Sequence, residues 1–594
     1  MCISLSDHSE VKECLPPRRR FRTRWGGDVA EKEETKTEPI IIKKKEESLS
    51  GSLTKQGFLV KKTECNPVII QKIVKELTAK PIVIEAYKQM SAKEPEFIIY
   101  QQSPSYFFLP RFWALNDKEI LRHFPFKANK IKPGNPMSDI NFIYELLPHQ
   151  HNGYKAAYKS LTELGGGVLS LPCGYGKTAL AIKLAIDMGG KTLVIVNKEC
   201  LMDQWISAIS KFTNDKARIG IIQQDKIDVV DKDFVVGMVH SISKKDYDMD
   251  IFSDFHMTII DECHHLGSEM FSKSLFKVSS PVMLGLSATP IRKDGLSFVV
   301  HAHLGPLCHS EKRSGSNKIA VKRFFLTSRD QSYQTILMAN GVKNTSQMLT
   351  NLSNNVNRNR LIIECIKVLM TEQRKILVLS GRLKQLSDLH GMLETAKIIR
   401  WDGKPLTFGY YIGKKGQNKA VHKAMLEKTS KCDVILGTHN IASEGLDIPD
   451  LNTEIIASPM SDVEQAIGRI LRKFHKLNPI VVDIIDHCGN FVKQGKTRLK
   501  LYHSEGYSAY DLHLNIDTLF NSNGNSKESE CISKHLLEIN ESIAIPPSTK
   551  TEGKSNEDED DDDSIDCDGD DDSMVLTNSK GLIRIKPSKN NCMI

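Results

Sequence analysis

The chain has 594 residues, 40% hydrophobic and 26% charged, with a formal net charge of +8. That length holds about three or four domains of ordinary globular composition. No apolar run approaches the roughly 18 residues of a membrane-spanning helix. Met1 to Glu10 also lacks a signal core, so an intracellular, unsecreted protein without a membrane partner is expected.

The thirteen cysteines form no C-x-x-C pair. They read as reduced thiols, not as a disulfide framework or a structural zinc site. The charge is asymmetric. Residues 557–572 carry twelve acids and no base, and removing those twelve negative charges takes the formal +8 to +20. A body that basic suits a polyanionic partner.

In chain order, residues 1–62 read as a disordered basic arm, rich in Lys, Glu and Ser. It contains Arg18, Arg19, Arg20, Arg22 and Arg24 beside Phe21 and Trp25. That cluster fits phosphate binding with base stacking, a nuclear import signal, or an unspecific basic tail. Residues 63–140 regain apolar content, with Glu96–Tyr100 and Tyr106–Trp113, and read as a small α+β domain whose aromatics form a core.

From residue 141 apolar strands alternate with helical stretches: Val168–Leu171, Thr192–Val196, Phe234–Val239, Met257–Ile260 and Val282–Leu286. After residue 330 a second series follows: Ile376–Leu379, Tyr410–Ile412, Val434–Leu436, Ile455–Ala457 and Ile480–Ile484. Connections of a dozen or more residues between buried strands imply parallel sheets. The expectation is therefore an α/β protein with two tandem parallel-sheet domains, 141–330 and 331–520. Residues 521–594 read as a disordered acidic tail.

Two motifs carry chemistry. Leu171-Pro172-Cys173-Gly174-Tyr175-Gly176-Lys177-Thr178 follows a strand and reads as a phosphate loop, although a strict pattern has Gly at the Leu171 position. Its backbone N–H groups suit an anion, Lys177 adds charge for the β/γ-phosphates, and the Thr178 hydroxyl can ligate Mg²⁺. Asp261-Glu262-Cys263-His264-His265 follows the Met257–Ile260 strand. Asp261 can hold the same Mg²⁺ and Glu262 can orient the attacking water. Cys263, His264 and His265 look metal-like, but adjacent residues do not supply tetrahedral ligand spacing. Upstream, Gln150 can offer its amide to an adenine edge.

Further segments complete the set: Asn197–Trp205, Gly237–Ser241, Leu286-Ser287-Ala288-Thr289-Pro290, Ser380-Gly381-Arg382, Gly437–Asp447 and Gln465–Arg472. In this order, over residues 145 to about 490, they closely resemble the superfamily 2 helicases and translocases. The Asp-Glu-Cys-His-His and Gln-x-x-Gly-Arg-x-x-Arg boxes resemble the XPB-like branch, and within it the helicases of large DNA viruses of the poxvirus transcript-release type. Arg292-Lys293-Asp294 departs from the Arg-Glu-Asp of XPB itself.

The resemblance implies RecA-like domains using ATP and Mg²⁺. Lys177, Thr178, Asp261 and Glu262 would carry hydrolysis, and Arg469 and Arg472 would be arginine fingers. Gly445 and Asp447 would contact nucleotide from the second domain. Ser287 and Thr289 would couple the site to nucleic acid, and Asn197, His240, Arg382 and Thr438 would lie near the backbone-tracking groove. His265 reads as a coupling residue or a buried hydrogen bonder. Nucleic acid is the expected partner, DNA favoured over RNA, with transcription or repair proteins open as further partners. The compartment would be the nucleus or, for a viral protein, the virion or viral factory. An RNA helicase and an inactive nucleic-acid-binding module are the alternatives.

Overall fold

The computed structural model describes residues 50–82, 96–172, 174–288, 292, 294–311, 319–413, 416, 418–439, 448–473, 475–520 and 526–538. The arginine cluster, Cys173, Thr289, Gly445, Asp447 and the acidic stretch 557–572 lie outside them.

Two large sheets organise the chain. In the first, the spatial order is Lys226–Ile227, Ile219–Gln223, Phe234–Met238, Thr192–Val196, Met257–Ile260, Val282–Ser287, Gly166–Ser170 and Leu307–Ser310. Every pairing is parallel except that of Lys226–Ile227 with Ile219–Gln223. The central strands are buried throughout, which is why they read as continuous apolar runs. Helices cover both faces and form two apolar cores. Helix Glu199–Thr213 buries Leu201, Trp205, Ile209 and Thr213 at four-residue spacing, and Asn214 in the left-handed region ends it.

The second sheet runs Phe408–Tyr411, Val434–Thr438, Ile376–Ser380, Thr453–Ile456, Ile480–Asp486, Ala320–Thr327 and Ser508–Asn515, parallel throughout. The chain is thus a mixed α/β protein with two RecA-like parallel-sheet domains.

Three sets of elements cross the expected boundaries. Ala320–Thr327 pairs with Ile480–Asp486 and Ser508–Asn515, so the second sheet starts before residue 331. The strand is hidden in the sequence because Lys322 and Arg323 interrupt its apolar run. Both are buried: Lys322 Nζ donates to the Glu538 carbonyl at 2.8 Å, and Arg323 pairs with Asp511 at 3.1 Å.

The arm expected to reach residue 62 already contains strands Ser52–Thr54 and Gly57–Lys61. They join Tyr106–Leu109, Gln101–Gln102 and Ala128–Asn129 in a five-stranded sheet. The tail expected from residue 521 contains helix Ser526–Leu537, whose Ile532 and Leu536 enter the core of the second domain. In both segments the apolar residues that anchor the element lie among Lys and Ser.

The small N-terminal domain packs on the first large one. Leu296, Val299 and Ala302 enter its core, and buried Arg111 donates to the Pro281 and Leu164 carbonyls at 2.9 and 3.2 Å. Its aromatics Phe107 and Phe112 are buried.

Candidate active site

The candidate residues of the first domain sit at the carboxyl ends of its parallel strands, where open α/β sheets bind ligands. After Gly166–Ser170 the loop turns through Gly174 (φ 79°) and Gly176 (φ 84°) into helix Lys177–Met188. Gly176 has a double requirement. Its φ disfavours any side chain, and an added Cβ would lie 2.2 Å from Gln150 Nε2.

Gln150 is buried, and its amide braces the loop. Nε2 donates to the Tyr175 carbonyl at 3.0 Å, and Oε1 accepts from the Leu147 amide at 2.9 Å. One N–H and one lone pair remain for a base edge.

Asp261 and Glu262 follow Met257–Ile260. Glu262 adopts the left-handed region (φ 47°, ψ 51°). Such a conformation in a non-glycine residue is costly and concentrates at functional sites. It brings Glu262 Oε1 to 3.6 Å from Lys177 Nζ. Asp261 Oδ1 accepts from the Glu262 amide at 3.0 Å, and Oδ2 accepts from the Trp205 indole at 2.8 Å. Burial, then the neighbouring Glu262 carboxylate, push the Asp261 carboxyl up to about 6.

A cleft of about 360 Å³ joins the motifs. Gly174, Gly176, Lys177, Thr178, Trp205, Asp261 and Glu262 line it from the first domain, and Pro449, Arg469 and Arg472 line it from the second. The helix expected to run on from Gln465 is a single turn, Glu464–Ile467. Arg469 and Arg472 lie in the turns after it, Arg469 with its amide 2.9 Å from the Ala466 carbonyl. Pro172 precedes the loop glycines, and its carbonyl accepts from the Tyr175 amide at 3.2 Å.

Between the phosphate loop and the acidic box the structure adds links that the sequence did not disclose. The Leu171 amide donates to the Ser287 carbonyl at 3.0 Å. His264 Nδ1 lies 3.1 Å from Ser287 Oγ and 3.4 Å from Glu262 Oε2. The histidine that reaches Ser287 is therefore His264. His265 donates its amide to the Glu262 carbonyl at 3.0 Å, and its ring lies 4.2 Å from that of His264. Arg292 donates to the His264 carbonyl and pairs with Asp294.

Of the residues expected near a groove, Arg382 is held by the Ser346 carbonyl and hydroxyl and by Thr350 Oγ1. His240 is exposed with its ring edge-on to Phe271. Asn197 follows Thr192–Val196, and Thr438 ends Val434–Thr438. Trp205 ends the segment Asn197–Trp205, but nothing local marks it as the partner of Asp261, 56 residues away.

Residues 143–292 match the family described as "Type III restriction enzyme, res subunit", and residues 357–474 match "Helicase conserved C-terminal domain". A protein of Acanthamoeba polyphaga mimivirus, named as a putative ATP-dependent RNA helicase, is 34% identical over 83% of this chain and 93% of its own length. A putative helicase of Invertebrate iridescent virus 6 is 29% identical over 62% of this chain and 84% of its own. A putative ATP-dependent RNA helicase of African swine fever virus is 25% identical over 64% and 76%. The chain belongs to the superfamily 2 helicases. Within that superfamily it falls with the helicases of large DNA viruses.

Proposed function

We propose that this helicase hydrolyses ATP in the cleft between its two RecA-like domains and uses the resulting domain motion to translocate on or unwind DNA. The observation that carries the reading is the cleft itself. It gathers Lys177, Thr178, Asp261 and Glu262 on one side and Arg469 and Arg472 on the other.

Lys177 and the loop amides hold the β/γ-phosphates. Thr178 and Asp261 are hard oxygen donors, and two adjacent carboxylates facing one lysine suit a divalent cation. Mg²⁺, when bound, neutralises phosphate charge there. Glu262 orients the attacking water. Arg469 and Arg472 oppose the charge that spreads over the γ-phosphoryl oxygens in the transition state. Because part of that charge stabilisation comes from the second domain, hydrolysis depends on how the domains meet. Each cycle then changes the spacing of two nucleic-acid grips.

The resemblance of the acidic and arginine boxes to the DNA-acting branch supports DNA. The names of the mimivirus and swine-fever-virus relatives favour a second reading, RNA. We propose that the N-terminal domain includes Ser52–Thr54 and Gly57–Lys61, and that the second motor domain includes Ala320–Thr327 and Ser526–Leu537. The deciding experiment is ATP turnover with single-stranded DNA, duplex DNA and RNA. Stimulation by DNA and not RNA supports the first reading, and stimulation by RNA alone supports the second. Turnover absent under every condition would leave a binding module.

A further inference from the structure

The two oxygens of the Asp261 carboxylate are held from different elements. Oδ1 is fixed by its own loop, through the Glu262 amide. Oδ2 is fixed by Trp205, on helix Glu199–Thr213, whose indole N–H donates at 2.8 Å. Trp205 is 1% exposed and packs in the apolar core with Val194, Val196 and Ile209. Phenylalanine would supply most of that apolar contact. What indole adds is one donor in a fixed plane, aimed at one carboxylate oxygen.

A carboxylate pinned through both oxygens cannot rotate about its terminal torsion, which is otherwise broad. Each oxygen keeps a second lone pair, and the group lines the cleft beside Thr178. We infer that Trp205 is a positioning residue for the cation-binding carboxylate, presetting Asp261 for a divalent metal instead of leaving it to be ordered on binding. This rests on the proposed assignment of Asp261 as a metal ligand. Partners that orient a ligand in this way commonly change metal affinity by about 10–100-fold when removed.

The test uses the full chain with Mn²⁺ as the probe, its free concentration read by electron paramagnetic resonance in the presence of ADP. ADP affinity is measured separately in excess chelator, by displacement of a fluorescent ADP analogue. Trp205→Phe should weaken Mn²⁺ binding by about tenfold or more while metal-free ADP affinity stays within about twofold. A merely structural tryptophan would move both together or neither. Equal losses, or Mn²⁺ affinity unchanged in Trp205→Phe, overturn the inference.

A measurement on the unmutated protein guards against a variant that does not fold. Adding Mg²⁺ to the ADP-bound protein should change the summed emission of its four tryptophans, and Asp261→Asn, which removes the carboxylate that Trp205 holds, should abolish that change. An emission indifferent to Mg²⁺ also overturns the inference. If Asp261→Asn itself keeps full Mn²⁺ affinity, the ligand assignment of Asp261 is what fails.

Discussion

His264 Nδ1 lies 3.1 Å from Ser287 Oγ, joining the acidic box to the end of the neighbouring strand. The same ring lies 3.4 Å from Glu262 Oε2, so one imidazole touches both the residue proposed to orient water and the residue proposed to couple the site to nucleic acid. His264→Ala should leave ATP affinity nearly intact and reduce the stimulation of turnover by nucleic acid. Turnover measured with and without saturating polynucleotide checks this. Unchanged stimulation would move the coupling role elsewhere.

Glu262→Gln removes a carboxylate and leaves Asp261 and Thr178 in place. It should retain ATP binding and lower turnover by about 10²–10⁴. Arg469→Ala or Arg472→Ala should lower turnover by as much as about 10³–10⁵ with a much smaller effect on ATP affinity, because that charge acts mainly in the transition state. Lysine at either position should rescue only in part, since it lacks the planar fork. Single-turnover rates and nucleotide affinities, measured side by side, separate these effects.

Gly176 should not tolerate alanine. The left-handed backbone alone costs roughly 1–2 kcal/mol for a residue with a Cβ, and that Cβ would meet Gln150 Nε2 at 2.2 Å. Gly176→Ala should therefore lower stability in urea unfolding and weaken ATP binding. Adding Gln150→Ala should relieve the collision and leave the backbone penalty. Full recovery in the double variant would show that strain at Gly176 is negligible.

Glu454 gives the protein a pH-dependent weakness. It is fully buried in strand Thr453–Ile456, and neither carboxylate oxygen has a hydrogen-bond partner among the described residues. Burial pushes its pKa up to about 8; Arg469 opposes the rise, and Asp483, held by Arg498 and Tyr502, adds to it. A carboxyl raised in the fold binds its proton more tightly there than in the unfolded chain. Its contribution is complete below the unfolded value near 4.5 and is lost as pH rises toward about 8. The loss runs at about 1.4 kcal/mol per pH unit over that window. Glutamine cannot ionise, so the stability of Glu454→Gln relative to the unmutated protein should rise from pH 5 to pH 8 and then level off. Denaturant unfolding across that range tests it, and parallel curves would show that Glu454 is already ionised in the fold.

By itself the sequence determined the helicase class and most strands of both sheets, and it singled out the loop and the acidic box as the candidate site. These are local properties. A buried parallel strand is a continuous apolar run, and a phosphate loop needs its glycines and lysine within a few residues of one helix start. What depends on side chains far apart in the chain was decided only by the tertiary structure. Ala320–Thr327 is a strand because Glu538 and Asp511 receive the charges that interrupt its apolar run. Gln150 offered a donor and an acceptor on paper, and the fold engages one of each with Tyr175 and Leu147. Trp205 on Asp261, His264 on Ser287 and the burial of Glu454 carry no periodicity or spacing of their own. A hydrogen bond depends on distance and direction to within tenths of an ångström, and those are set only when helices and sheets pack.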